Sequence, residues 1–124
     1  EPYTKISGGE RQLVLIARAL VQEAPVILLD EPTSHLDFKN QQVILTKIKE
    51  ITLEKKLITI LTLHDPNLAS IFSDKIVIIK NGKVLHNGHP EEVINQDILN
   101  KVYGIEVEVI KHNGINVVFP KLKR

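Results

Sequence analysis

The 124 residues include no cysteine, which excludes a disulfide scaffold and a thiolate metal site and fits a reducing compartment. Long apolar runs are missing as well. Those such as Val26 to Leu29 and Ile76 to Ile79 fall far short of the roughly 18 residues a membrane span requires, so any membrane association would come from a partner. The stretch after Glu1 has none of the features of a signal peptide. Neither sign of charge dominates: 16 Lys and Arg stand against 15 Asp and Glu, a formal +1, which removes a general electrostatic case for nucleic acid. There is no sustained heptad, so no long coiled coil is expected. Also missing is a G-x-x-x-x-G-K-[ST] loop, whose backbone N–H groups and lysine would cradle nucleotide phosphates. The only Gly-Lys pair, Gly82-Lys83, precedes Val84 inside a hairpin signal.

What is present suits one domain with a modest core. Ser7 and Glu10 have capping-box spacing, and Leu13, Ile16, Ala17 and Leu20 then fall at i, i+3, i+4 and i+7. This predicts a helix from Gly8 to about Gln22, stopped by Pro25. Val26 to Leu29 is a short apolar run that suits a strand covered on both faces. Ile44, Ile48 and Ile51 mark the inner stripe of a second helix, from about Lys39 to Leu53. Leu57 to Leu63 reads as a second buried strand, ending at His64-Asp65-Pro66. Strand, helix and strand in this order predict an α/β fold with a parallel sheet and crossover helices.

From Lys75 onward the pattern becomes that of an α+β tail rich in hairpins. Ile76 to Lys80 and Lys83 to Asn87 flank Asn81-Gly82, a strong two-residue hairpin signal because a type I′ turn needs positive φ at both central positions. Pro90 opens a helical stretch to about Val102, in two pieces. A second hairpin is expected from Ile105 to Lys111 and Val117 to Phe119, around Asn113-Gly114. The chain therefore reads as residues 1–74 followed by a tail over 75–124.

Three features carry potential chemistry. Gly8 and Gly9 at a helix start let backbone approach a ligand, and the first-turn N–H groups and dipole favour an anion there; a plain capped helix also accounts for them. Asp30 and Glu31 end an apolar strand, where open α/β sheets place ligand-binding groups. One carboxylate can hold Mg²⁺ and the next can orient and deprotonate water, or both can simply cap the Pro32-Thr33-Ser34 turn. His64 follows the second strand and belongs on the same sheet edge, either as a functional group or as a surface histidine. His86 and His89 have H-x-x-H spacing, but Asn87-Gly88 between them puts them at a strand end rather than on a helix face. The basic residues Lys121, Lys123 and Arg124 read as a solvated terminus.

Residues Ile6 to Asp37 read ISGGERQLVLIARALVQEAPVILLDEPTSHLD. In order and spacing this stretch resembles the ATP-binding cassette (ABC) family, with Ile6 to Glu10 as its signature, Val26 to Pro32 as its Walker B strand and Ser34 to Asp37 as its D-loop. The resemblance implies a partial P-loop NTPase sheet from the C-terminal half of an ABC ATPase. It also implies ATP and Mg²⁺ as cofactors, with Asp30 as the metal residue, Glu31 as the general base and His64 as the histidine that contacts the γ-phosphate. Ser7, Gly8 and Gly9 would act in trans on ATP held by a second protomer. Glu10, where the family often has Gln, would cap the helix, and Asp37 would bridge the two protomers. The tail motifs Asn81 to Val84, Gly88 to Val93 and Val102 to Ile105 resemble those in ATPases of importers for iron–siderophore, haem or cobalamin-type chelates.

The expectation is an ATP-hydrolysing importer subunit. It would work as a homodimer beneath permease subunits, peripheral on the inner face of the cell membrane, with no nucleic-acid partner. Without the phosphate loop, the 124 residues alone are expected to be inactive. A non-enzymatic interaction module derived from an ABC ATPase, or a soluble non-transport ABC ATPase, is the alternative.

Overall fold

β-Branched residues bounded by Pro25 and the Asp30 turn make Val26–Leu29 a strand (β1), and Ile58–Leu61 forms its parallel partner (β2). The register pairs Val26 with Ile58, Ile27 with Thr59, Leu28 with Ile60 and Leu29 with Leu61. Between them runs a helix, Phe38–Glu54 (α1). The computed structural model describes Val14, Ala17, Arg18 and residues 25–122; Val14, Ala17 and Arg18 are helical, and the rest of the helix expected over 8–22 lies outside the described residues. Two compact units result, Glu1–His64 and Asp65–Arg124.

In the first unit, Asp37 starts α1 by accepting a hydrogen bond from the Asn40 N–H at 2.8 Å, which satisfies one of the donors a helix start leaves open. Ile44, Leu45 and Ile48 form the buried stripe and Ile51 is half-buried. Each fully buried side chain of this size contributes about 1.5–3 kcal/mol. Near the end of α1 the Thr52 hydroxyl bonds the Ile48 carbonyl and the Thr59 hydroxyl, both at 2.7 Å, which turns the Thr59 face of the strand pair toward α1. Ile27, on that face, is buried. Alternation sends Val26, Leu28, Ile58 and Ile60 to the other face, where they are 42%, 74%, 62% and 54% exposed. An apolar run specifies what a strand can bury, and of the two faces these runs suit for cover, α1 covers one.

The second unit begins with a helix, Pro66–Phe72 (α2), where the sequence pattern predicts only the end of the preceding strand. Asp65 caps it by accepting from Asn67 N–H at 2.8 Å, and Pro66 occupies the first turn, where its missing N–H costs nothing. Asn67 then both donates to the Val118 carbonyl at 3.1 Å and accepts from the Val118 N–H at 2.7 Å, while Ser70 donates to the Asn116 carbonyl at 2.8 Å. Such bonds are worth about 1 kcal/mol each net, and they fasten α2 to a strand, Ile115–Pro120, some fifty residues later.

The two hairpins form as expected. Ile76–Lys80 (β3) pairs with Lys83–Gly88 (β4) and Val107–His112 (β5) with Ile115–Pro120 (β6), both antiparallel. The turns have φ of 53° and 74° at Asn81 and Gly82, and of 51° and 79° at Asn113 and Gly114, as a type I′ turn demands. Pro90–Val93 (α3) and Gln96–Tyr103 (α4) are the two helical pieces. Gly104 closes α4 at φ 68°. Ile76, Val93, Ile94, Leu99, Val107 and Val118 make the core of this unit. No helix among the described residues is long and apolar enough to cross a membrane.

Candidate active site

Because β1 and β2 are parallel, their C-terminal ends lie side by side, and the ladder continues one step with Thr62 N–H donating to the Leu29 carbonyl at 3.1 Å. This brings Asp30 beside Thr62. The Thr62 hydroxyl donates to Asp30 Oδ1 at 2.7 Å and accepts from the Glu31 N–H, also at 2.7 Å. Glu31 is the corner where the chain leaves the strand. Its φ is 48°, a conformation that costs a non-glycine residue about 1–2 kcal/mol and that surrounding bonds must hold. Its carbonyl accepts from Ser34 N–H at 3.1 Å, and Thr33 in turn accepts from Leu36 N–H at 3.2 Å. Pro32 and Thr33 are buried beneath this turn.

His64, two residues beyond the end of the ladder, hydrogen-bonds through Nε2 to Glu31 Oε1. An ionised carboxylate only accepts, so Nε2 carries the proton in this pair. Both partners are open to solvent, and an exposed bond of this kind adds little to stability. It does fix the relative placement of the two groups. Of the sequence-derived candidates, Asp30, Glu31 and His64 thus meet at one strand edge. Asp37 stands at the far end of the turn, where its carboxylate caps α1. Ser7, Gly8, Gly9 and Glu10 lie outside the described residues.

Thr62 is the member of the cluster that sequence reasoning missed. Its signal was present only in combination: once Leu29 is paired with Leu61, the next residues, Asp30 and Thr62, must be neighbours.

The donor set discriminates between metals. Among the described residues no three or more His, Cys, Asp or Glu side chains converge on a possible ion, so a protein cage of the zinc type does not fit. One carboxylate with a free oxygen does suit Mg²⁺, which is commonly held by one or two carboxylates and completes its shell with water and substrate phosphates. His86 is exposed on β4, and the ring of His89 faces the Asp74 carbonyl through Nδ1 at 3.2 Å. The H-x-x-H pair therefore forms no such site.

A βαβ unit with paired acids at the C-terminal edge of its sheet has them where open α/β sheets bind ligands, and comparison with known proteins narrows the class. Residues 1–34 match the ABC transporter family, and the chain belongs to that family. It is 40% identical over 122 residues to the hemin import ATP-binding protein HmuV of Rhodococcus jostii (strain RHA1), an overlap of 97% of this chain and 41% of that protein. Its fold is similar to that of a metal-chelate type ABC transporter in an inward-facing conformation, with a TM-score of 0.85 and 28% identity over 96% of this chain and 49% of the other. It is also similar to an ATP-binding cassette solved as a dimer in a post-hydrolysis state with ADP and Pi, with a TM-score of 0.62 and 34% identity over 73% of this chain and 38% of that one. The chain spans less than half the length of each of these proteins.

Proposed function

We propose that this chain is part of the ATP-hydrolysing subunit of an ABC-type importer for an iron or other metal chelate. The subunit pairs with a second protomer beneath membrane-embedded permease subunits, on the inner face of the cell membrane. The chelate assignment is supported by the names of its relatives, a hemin import ATP-binding protein and a metal-chelate type transporter. The dimer is supported by the cassette solved in that form.

The single observation that carries the hydrolytic reading is the joining of Glu31 to His64 beside an Asp30 carboxylate held by Thr62. With Oε1 of Glu31 engaged by the imidazole N–H, Oε2 is the oxygen open to a water molecule, which it orients and from which it takes a proton. His64 keeps that carboxylate in place and its ring can also meet the γ-phosphate. Asp30, whose Oδ2 is not engaged by Thr62, would hold Mg²⁺; when bound, this ion neutralises charge on the β- and γ-phosphates. Ser7, Gly8, Gly9 and Glu10 would act in trans on ATP held by the other protomer, and Asp37 would bridge the protomers. The phosphate cradle has to come from sequence other than these 124 residues.

The test of function is transport. The full-length subunit, reconstituted in vesicles with its permease, is expected to accumulate an iron chelate only when MgATP is supplied on the subunit's side. ATP turnover that no haem, siderophore or corrinoid chelate stimulates, with no uptake, would contradict the importer assignment.

A further inference from the structure

We infer that Thr62 is a positioning residue that holds both acids of the proposed site at once, orienting the Asp30 carboxylate for a divalent cation and pinning the backbone of Glu31; this inference rests on the ATPase reading above. A threonine hydroxyl has one proton and two lone pairs. Here the Glu31 N–H points at the oxygen from 2.7 Å, so a lone pair is spent on it and the proton is left for Asp30 Oδ1, also at 2.7 Å. The direction of the hydroxyl is therefore set by its surroundings. That direction commits one oxygen of Asp30 to the protein and leaves Oδ2 for an ion.

The hydroxyl is itself well anchored, because the Thr62 N–H extends the parallel ladder by bonding the Leu29 carbonyl at 3.1 Å. Its second partner is the N–H of Glu31, the residue that holds φ at 48°. A backbone in that region persists when neighbouring bonds determine it, and the bond from Thr62 acts on the residue concerned. One side chain thus ties the rotamer of the first acid to the backbone direction of the second. Partners of this kind, one step removed from a metal, commonly cost about 10- to 100-fold in metal affinity or activity when removed. Valine copies the shape of threonine without the hydroxyl, whereas serine keeps the hydroxyl.

The experiment compares wild type, Thr62→Val and Thr62→Ser in the full-length subunit. Mn²⁺ affinity in the presence of ATP is read directly by electron paramagnetic resonance, and the metal dependence of turnover is read alongside it. Thr62→Val is expected to weaken Mn²⁺ binding by roughly 10- to 100-fold and to shift the metal dependence of turnover to match, while Thr62→Ser restores both. Wild-type Mn²⁺ affinity in Thr62→Val overturns the inference, as does an equal loss in Thr62→Ser. If Thr62→Val does not fold, Thr62→Ala is read by the same criteria. Glu31→Gln, measured in parallel, separates the two claims: wild-type turnover in that variant removes the ATPase assignment of Glu31, and the direct Mn²⁺ titration still decides the role of Thr62.

Discussion

The His64 ring and the Glu31 carboxylate are hydrogen-bonded although 33 residues separate them and each lies in a loop beyond its strand. Parallel pairing of β1 and β2 makes this possible, since it delivers both strand ends to one edge. If the bond positions the base, His64→Ala in the full-length subunit should lower ATP turnover by about 10²-fold, the order of loss expected when a reacting group is misplaced by about 1 Å. Thermal stability should barely change, because both groups are open to solvent. Phosphate-release kinetics together with a thermal melt check this; a variant that melts far lower would show His64 to be structural.

How legible the fold was depends on how local its causes are. The two hairpins could be placed to within two residues at every boundary because Asn81-Gly82 and Asn113-Gly114 set their turns by themselves. β5 starts two residues later than expected, at Val107, because Gly104 ends α4 in the left-handed region and Asn100 Oδ1 then accepts from the Val107 N–H at 2.8 Å. Asp65-Pro66 reads as the end of a strand, yet an aspartate cap followed by proline at the first turn also starts a helix, and α2 follows that second rule. Asp30, Glu31 and His64 were legible as strand-end residues. Thr62 was not, because its role depends on the register between two strands and on the hydroxyl's direction, neither of which any single stretch of sequence encodes.

The open face of the β1–β2 pair gives a second prediction. Val26, Leu28, Ile58 and Ile60 line it and Leu28 is 74% exposed; a contiguous apolar face of this kind marks a surface that another element or molecule covers. The 124 residues alone should bind a hydrophobic dye and self-associate in sedimentation. Leu28→Gln together with Ile58→Thr should weaken both effects without loss of helical signal. A compact monomer that leaves the dye unaffected would contradict this.

Tyr103 offers a test of the second unit at alkaline pH. Burial, and then the Asp65 carboxylate, hold its phenol pKa above the ordinary tyrosine value. The folded state therefore keeps that proton more tightly than the unfolded chain does, so the associated stability is present below the ordinary phenol pKa and is lost as pH rises through the folded one. Asp65→Asn removes the second cause while an asparagine still caps α2. In a Tyr3→Phe background, which leaves Tyr103 as the single tyrosine, the phenolate absorbance should titrate lower in Asp65→Asn than in the parent. An unchanged midpoint would show that Asp65 does not act on Tyr103.

The central claim is that Glu31 takes the proton from the attacking water at this strand edge, and Glu31→Gln in the full-length subunit tests it most directly. Glutamine keeps the shape and can still hydrogen-bond His64, but it has no basic oxygen to accept the proton. MgATP binding, measured by calorimetry, should be retained, while single-turnover phosphate release falls by roughly 10²- to 10⁴-fold and ATP-bound dimers accumulate in size-exclusion runs. Phosphate release at the wild-type rate, or loss of ATP binding with the fold intact, would contradict the assignment.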